Sequence, residues 1–128
     1  MKYSSLKFEF KNENINFICR FKPLEILIIL NNLISNSLKQ EATVMRLNFE
    51  KDKDELILNI SDNSDRGGVK EKDAPFIFNR AYSTTNGSGR GLYDVKRILK
   101  DLNGNIKFVG NNVENQLKGA CFEVTIKR

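Results

Sequence analysis

Three polar side chains interrupt the apolar pattern of a predicted helix over residues 21–39 and could together bind a metal ion and phosphate. Apolar residues recur there at three- and four-residue spacing, the period of a helix with one buried face. Asn32, Asn36 and Lys39 stand at i, i+4 and i+7, so we expect all three on one side of the helix. Two amides and an ammonium group in line can hold a cation and phosphate oxygens. Taken alone, the pattern slightly favours a polar helix face exposed to water.

A carboxylate, Asp62, follows an apolar strand predicted over residues 55–61. At a strand end beside apolar side chains, a carboxylate can accept a hydrogen bond from the exocyclic amine of adenine. Guanine presents a carbonyl oxygen at that position, so such an acceptor selects against it. The alternative is that residues 62–65 form only an Asx-rich turn, and this stretch by itself favours the turn.

A glycine-rich stretch runs directly into a second predicted helix: Gly87, Gly89 and Gly91 precede Leu92, and Arg90 adds a cation. Glycines let the backbone approach an anion, and a helix N-terminus offers free N–H groups and the positive end of its dipole. A dinucleotide-binding fold places its three glycines after the first strand of a parallel unit, whereas these follow a loop late in the chain. The stretch therefore favours a phosphate-binding loop over a Rossmann motif, and a flexible hinge is the less favoured alternative.

Composition limits the chemistry that the chain can support. Its 128 residues suffice for one domain with a substantial core, and 40% hydrophobic with 29% charged residues is ordinary for a soluble globular chain. The net charge of +5 fits an acidic ligand, but no Lys/Arg block indicates a nucleic-acid surface. The chain has no histidine, so it cannot supply a phosphorylatable histidine or the usual general base.

The cysteines and the apolar runs predict a cytosolic domain without membrane contact. Cys19 and Cys121 stand among apolar neighbours, which favours free core thiols over a disulfide, and zinc binding is disfavoured without histidine. The longest uninterrupted apolar run, residues 26–30, is too short to cross a membrane.

The elements that must position these residues follow from the alternation and spacing of apolar side chains. The second helix is predicted from Leu92 to Leu102, ended by Asn103 and Gly104 as its C-cap. Strands are predicted over residues 5–11, 15–21, 44–50, 55–61, 105–109 and 119–127, the last two forming a hairpin. A mixed sheet with both helices on one face predicts an α+β fold, a two-layer α/β sandwich, with residues 1–128 as a single domain.

The order of these motifs resembles the ATP-binding superfamily of histidine kinases, DNA gyrase and mismatch-repair ATPases, the GHKL or Bergerat fold. Residues 30–39 resemble its N box, residues 76–84 the F box of sensor kinases, and residues 87–92 the G2 box. The resemblance extends from about residue 24 to residue 126. It implies the catalytic, ATP-binding domain of a sensor histidine kinase, without the domain that carries the phosphoacceptor histidine.

The resemblance implies a role for each residue that falls on a motif. Asn36 would coordinate Mg²⁺ through its side-chain oxygen, Lys39 would neutralise phosphate charge, and Asp62 would bind adenine. Arg80 would contact the γ-phosphate and, with Asn32 and Lys39, form the catalytic set. The other expected nucleotide contacts are Asn32, Tyr82, Ser83, Thr84, Gly87, Gly89, Arg90, Gly91 and Leu92.

One position separates the branches of the superfamily. The gyrase-like ATPases use a glutamate four residues before the magnesium asparagine to activate water, and Asn32, which stands there, cannot act as a base at neutral pH. The resemblance is therefore to the kinase branch. It implies transfer of the γ-phosphoryl of Mg-ATP to a histidine on a dimerisation domain, in the same full-length protein or in trans. It also implies a cytoplasmic location, as a separate protein or as the cytoplasmic part of a membrane-bound sensor.

Two departures from the family pattern leave alternatives open. The G1 box normally reads Asp-x-Gly-x-Gly, but Ser64 and Arg66 stand where its glycines belong, unless two residues have been inserted. The lid between Thr84 and Gly87 is also short. One alternative is a nucleotide-binding regulatory module that has lost phosphotransfer. The other is a serine/threonine kinase of the anti-sigma type, which shares the same boxes.

Overall fold

The computed structural model describes residues 5–65, 69–79 and 91–128. These residues form β1 (Lys7–Lys11), α1 (Pro23–Lys39), β2 (Val44–Asp52), β3 (Glu55–Asp62), a short 3-10 helix (Ala74–Phe76), α2 (Gly91–Asp101), β4 (Gly104–Asn111) and β5 (Ala120–Lys127). No helix within the described ranges has the length and apolar character that a membrane span requires.

The strands of the described residues form one mixed sheet in the order β1-β2-β3-β5-β4. β1 is parallel to β2, because α1 carries the chain back between them, and the other neighbours are antiparallel. The predicted closing hairpin is confirmed as the β4–β5 pair. This order puts β3, which ends at Asp62, in the middle of the sheet.

The hydrophobic core lies between one face of the sheet and the two α-helices. Cross-strand pairing aligns Leu47 with Ile60 and Ile60 with Phe122, so the apolar side chains of three strands share that face. The helices contribute Ile29 and Leu33 from α1 and Val95, Ile98 and Leu99 from α2. The predicted α+β two-layer sandwich, with the helices on one face, is confirmed.

The opposite face of the sheet is polar. A row of paired residues crosses it from Asn48 through Asn59 and Glu123 to Lys107, and the Lys107 ammonium lies 3.3 Å from the Glu123 carboxylate. The period-two alternation of the strands therefore separates a core face from a solvent face.

The N-box helix α1 begins at Pro23, in agreement with the sequence, since proline suits the first helical turn. Its fully buried residues are Ile29, Leu33 and Ser37, which follow one another at four-residue spacing. A polar side chain thus occupies the third position of the stripe that faces the core. The helix ends at Lys39, and Gln40 donates its N–H to the Asn36 carbonyl at 3.2 Å.

The strand predicted over residues 15–21 is wrong. The chain does not turn back on β1, because β1 pairs with β2 and the intervening segment must reach the start of α1. The segment is held by side chains at one end of the sheet: Lys51 donates to the Asn16 carbonyl at 3.2 Å, and the Arg128 guanidinium lies 5.6 Å from the Phe17 ring centroid. Its alternating half-buried and exposed side chains produce the strand-like pattern without a strand partner.

The end of α2 is confirmed at the predicted Asn-Gly pair. Asn103 adopts the left-handed backbone conformation, with φ of 60°, that terminates many helices. Gly104 is required for a different reason, because a β-carbon there would collide with the Thr125 carbonyl of β5.

Both cysteines are free thiols in the structure, as the sequence predicts, but Cys19 is only half-buried and is not the core residue that was expected. Cys121 is fully buried, and desolvation, with a smaller contribution from the charge of Glu123, raises the pKa of this thiol to about 11. The Cys121 thiol is therefore a buried side chain with little thiolate character at neutral pH.

Candidate functional site

The end of β3 brings a buried carboxylate against the N-box helix. Asp62 is 6% exposed, and its Oδ2 accepts a hydrogen bond from Ser37 Oγ at 2.9 Å. Its Oδ1 accepts a hydrogen bond from the backbone N–H of Ser64 at 3.0 Å. Ser37 directly follows Asn36 in α1, so the residue that contacts the predicted adenine-binding carboxylate is the sequence neighbour of the predicted magnesium ligand.

The surroundings of Asp62 act on its ionisation in opposite directions. Burial raises the pKa of the Asp62 carboxyl, and the hydrogen bonds from Ser64 N–H and the Ser37 hydroxyl partly oppose that rise. An ionised carboxylate has about four lone-pair sites. Two are used by Ser37 and Ser64, so this carboxylate keeps the capacity to accept a further N–H.

Gly119 closes the cluster from the start of β5. Its N–H donates to the Asp62 carbonyl at 2.8 Å, and a β-carbon at Gly119 would overlap Asp62 Oδ1. The nearest backbone atoms to such a β-carbon are the Asp62 carbonyl oxygen and the Ser64 nitrogen, at 2.8 and 3.0 Å. Only a glycine fits this approach, and sequence reasoning missed it.

The residues after Asp62 tie the site to the end of α1 and the start of β2. Asn63 Oδ1 accepts hydrogen bonds from the N–H groups of Thr43 and Val44, at 2.8 and 2.9 Å. Ser64 is 3% exposed, and its hydroxyl donates to the Gln40 carbonyl at 2.6 Å. Ser64 thus supports the α1 terminus, and the Asx-rich turn and the buried carboxylate coexist.

A second pair of predicted site residues meets where α1 passes the start of α2. A β-carbon on Gly91, the first residue of α2, would lie 3.2 Å from Asn32 Oδ1, so the amide packs tightly against this glycine. Asn36 lies one turn further along α1 and is half-buried, and Lys39, the last residue of the helix, is exposed. At Asn32, the polar side of α1 therefore borders the N-terminus of α2, where the helix dipole favours an anion.

The two pairs share one helix, α1. Asn32 and Ser37 are five residues apart on one continuous helix, about 7.5 Å along its axis. Leu92 of the G2 box is half-buried and packs against the core, so its side chain anchors α2. The other predicted site residues, Arg80, Tyr82, Ser83, Thr84, Gly87, Gly89 and Arg90, lie outside the described residues.

The segment before the predicted lid is anchored at two points. Asn111 binds the backbone of Val69 twice, accepting from its N–H at 3.1 Å and donating to its carbonyl at 2.6 Å. Ile77 of the F box is buried in the core, and Phe78 packs edge-on against Phe122 with ring centroids 6.3 Å apart. The F box thus begins from a fixed position over β5.

Glu25 lies away from this site. It is half-buried near the start of α1, 3.7 Å from the Lys22 ammonium, in a surface depression of about 320 Å³ that also includes Asp101 at the end of α2. It does not take the place of the missing glutamate at Asn32.

Residues 22–128 match the family model described as "Histidine kinase-, DNA gyrase B-, and HSP90-like ATPase". Since the match covers most of the chain and includes both the N-box helix and the buried strand-end carboxylate, the chain belongs to this ATPase family.

The chain is similar in sequence to two curated sensor kinases. The signal transduction histidine-protein kinase AfsQ2 of Streptomyces coelicolor is 32% identical over 79 residues, which cover 57% of this chain and 14% of AfsQ2. The sensor histidine kinase GlnK of Bacillus subtilis is 27% identical over 110 residues, which cover 79% of this chain and 25% of GlnK. The chain thus spans a quarter or less of the length of these relatives.

Solved structures share the fold. The catalytic domain of the histidine kinase ThkA, in a nucleotide-free form, is 23% identical with a TM-score of 0.74, over 95% of this chain and 78% of that one. The ATP-binding domain of PrrB from Mycobacterium tuberculosis is 20% identical with a TM-score of 0.72, over 98% and 82% of the two chains. The mycobacterial sensor histidine kinase MprB is 16% identical with a TM-score of 0.73, over 95% and 81%. At these identities the likeness shows the Bergerat fold.

Proposed function

We propose that this domain binds Mg-ATP between α1 and α2 and transfers the γ-phosphoryl group to a histidine on another domain or chain. The observation that carries the proposal is the contact between Ser37 Oγ and Asp62 Oδ2 at 2.9 Å. This contact joins a buried acceptor suited to adenine with the helix that bears Asn36 and Lys39. The relatives' names as histidine kinases support the kinase reaction and favour neither the regulatory module nor the serine kinase.

Adenine recognition would rest on Asp62. The carboxylate is buried and its two oxygens are oriented by donors, so a purine amine that reaches it finds an acceptor in a fixed direction. A guanine carbonyl at the same place would face that acceptor without a proton between them, which is unfavourable in a site shielded from water.

The polar side of α1 fits a magnesium-bound triphosphate. Asn36 offers a half-buried amide oxygen, and Mg²⁺ takes few ligands from protein, the rest coming from phosphates and water. When bound, the ion neutralises charge on the phosphate oxygens. Lys39 adds an exposed ammonium group, and the N-terminus of α2 beside Asn32 adds the positive end of a helix dipole.

The remaining proposed contacts complete the nucleotide site outside the described residues. Arg80 would contact the γ-phosphate, and the glycines of residues 87–91 with Arg90 would follow the triphosphate. Tyr82, Ser83 and Thr84 would begin the lid.

The nucleophile would come from a partner domain. Asn32 packs against Gly91 where the gyrase-like branch has a glutamate, and its amide cannot take a proton from water at neutral pH. A histidine ring nitrogen can instead form the new bond to the γ-phosphorus while the bond to the bridging oxygen breaks and ADP leaves. The domain would then act by positioning and charge neutralisation. The partner is a histidine-bearing dimerisation domain, in the same cytoplasmic protein or in trans.

Titration of the domain with a non-hydrolysable ATP analogue, with and without Mg²⁺, tests the proposal. We expect saturable binding that Mg²⁺ strengthens and that GTP analogues compete for poorly. Absence of binding under both conditions would contradict the proposed function.

A further inference from the structure

We infer that Ser37 is a positioning residue for adenine selection, because its hydroxyl fixes the Asp62 carboxylate from the helix side of the site. The inference rests on the proposed function, since it assigns Asp62 to the purine. It adds a residue to which the family motifs give no role, between the predicted magnesium ligand Asn36 and Leu38.

The position of Ser37 in the helix is the first observation. It is 5% exposed and continues the buried stripe of Ile29 and Leu33, where an apolar side chain is expected. A buried hydroxyl without a partner is costly, and the partner of this one is a carboxylate oxygen. The contact with Asp62 therefore accounts for a serine in an apolar stripe.

The other supports of Asp62 come from different parts of the chain. Ser64 N–H binds Oδ1 from the following turn, and Gly119 N–H binds the Asp62 carbonyl from the start of β5. Within the described ranges, Ser37 is the donor that holds Oδ2. Removing its hydroxyl leaves the backbone of Asp62 in place and frees one carboxylate oxygen.

A freed carboxylate discriminates less well between purines. While both oxygens are bound, rotation of the carboxylate would break a hydrogen bond, so its remaining lone pairs point in fixed directions. Once Oδ2 is released, the group can rotate or take up a proton, and a protonated carboxyl donates as well as accepts. It can then tolerate the carbonyl oxygen of guanine. Selectivity for ATP over GTP should fall more than the affinity for nucleotides in general.

Ionisation of Asp62 provides a second signature. The Ser37 hydrogen bond favours the charged form, so its loss should raise the pKa of Asp62 further. Among the described residues, the charged groups on neighbouring stretches include Lys39 at the end of α1, Glu41 just after it and the Asp65–Lys118 ion pair, all of which are exposed. Met45 pairs with Asp62 from β2. The pKa of Asp62 is set by burial, which raises it, and by the hydrogen bonds from Ser64 and Ser37, which lower it. The loss of ATP affinity at acid pH should therefore begin at a higher pH when the Ser37 hydroxyl is removed.

The test measures affinities for ATP and GTP analogues across pH for the wild type, Ser37→Ala and the control Ser35→Ala. Ser35 lies on the same helix, is half-buried and has no hydrogen bond of its hydroxyl to another described residue. We expect Ser37→Ala to lower the ATP-over-GTP preference about tenfold, the size expected for one hydrogen bond to a charged group. The loss of ATP affinity at acid pH should begin at a higher pH in Ser37→Ala than in the wild type. Ser35→Ala should change neither the purine preference nor this pH dependence.

A double-mutant cycle separates positioning from a general structural effect. In an Asp62→Asn background, Ser37→Ala should change purine preference little further, because both residues act through one carboxylate. The inference would be overturned if the two substitutions lowered the ATP-over-GTP preference additively. It would also be overturned if Ser37→Ala left both that preference and the pH dependence of ATP binding unchanged. In either case, ATP binding by the wild type would still uphold the proposed function. Failure of the wild type to bind ATP would instead overturn the proposed function itself.

Discussion

Gly119 approaches Asp62 so closely that its N–H donates to the Asp62 carbonyl at 2.8 Å and a β-carbon would overlap the carboxylate. The residue before β5 thereby contacts the end of β3 independently of the helix that carries Ser37. The candidate adenine contact is thus determined by three parts of the chain: the N-box helix, the turn after β3 and the entry to β5.

Gly119→Ala should lower both the free energy of unfolding and the affinity for ATP. Overpacking of this kind typically costs about 1–3 kcal/mol, because the added methyl must displace Asp62 or the backbone at Ser64. Denaturant unfolding and ATP-analogue titration measure the two effects. Lys118→Ala is the matched control, since it removes only an exposed ion pair with Asp65. Equal, small effects in both variants would show that the approach of Gly119 has no consequence for the site.

Asp62→Asn should lower the affinity for ATP while leaving the fold intact. Asparagine can still accept from Ser64 N–H, and the Ser37 hydroxyl can turn to accept from the new amide, so the fold should be retained. ATP affinity should fall by about 1–3 kcal/mol, because an N–H would meet the adenine amine. Calorimetric titration measures the loss. Unchanged ATP affinity, or a wild-type preference for GTP, would make Asp62 a turn residue only.

The pH dependence of stability follows from the buried carboxyl. Because the pKa of Asp62 is raised in the folded state, the native protein binds more protons than the unfolded chain between the usual value of 3.8 and the raised value. The contribution of Asp62 to the free energy of unfolding should therefore decrease as pH rises through that window. ATP affinity should change in the opposite sense, falling as the pH drops through the raised pKa.

Urea unfolding of the wild type and Asp62→Asn over a pH series isolates this contribution. The stability of the wild type relative to the variant should be greatest at the acid end and should decline as Asp62 ionises. If the difference in free energy of unfolding between wild type and variant is constant with pH, or grows as pH rises, the pKa of Asp62 is not raised in the folded state.

Asn36→Ala tests the magnesium contact. The variant should weaken nucleotide binding about tenfold in the presence of Mg²⁺ and much less in its absence, because the amide oxygen would be a metal ligand. Titrations with and without Mg²⁺ give the two ratios. Asn31→Ala, an exposed asparagine on the same helix, is the control and should leave both unchanged. Equal losses with and without the ion would indicate a structural role for Asn36.

Much of the fold was predictable because the relevant signals are local. The apolar period of α1, the proline at its start and the asparagine at the end of α2 each act within a few residues. The strand predicted over residues 15–21 failed because alternation reports which side chains are buried and not whether a strand partner exists.

The support of the site was less predictable because its partners are distant in sequence. Ser37 and Asp62 are 25 residues apart, and nothing local to Gly119 shows that Asp62 will lie against it. One signal was available, since Ser37 continues the four-residue spacing of Ile29 and Leu33 and is the polar member of a buried stripe. A buried serine of this kind calls for a polar partner, and Asp62 provides it.

Phosphotransfer tests the central claim most directly. The domain is incubated with γ-labelled ATP, alone and with its cognate histidine-bearing helical domain, and a version of that partner lacking the histidine is the control. We predict slow hydrolysis and no label on the domain itself, since it has no histidine and Asn32 cannot activate water. The partner should acquire an acid-labile, base-stable phosphate, and only when its histidine is present. Rapid hydrolysis by the domain alone, an acid-stable product, or ATP binding with no transfer to the intact partner would contradict the assignment as a histidine kinase.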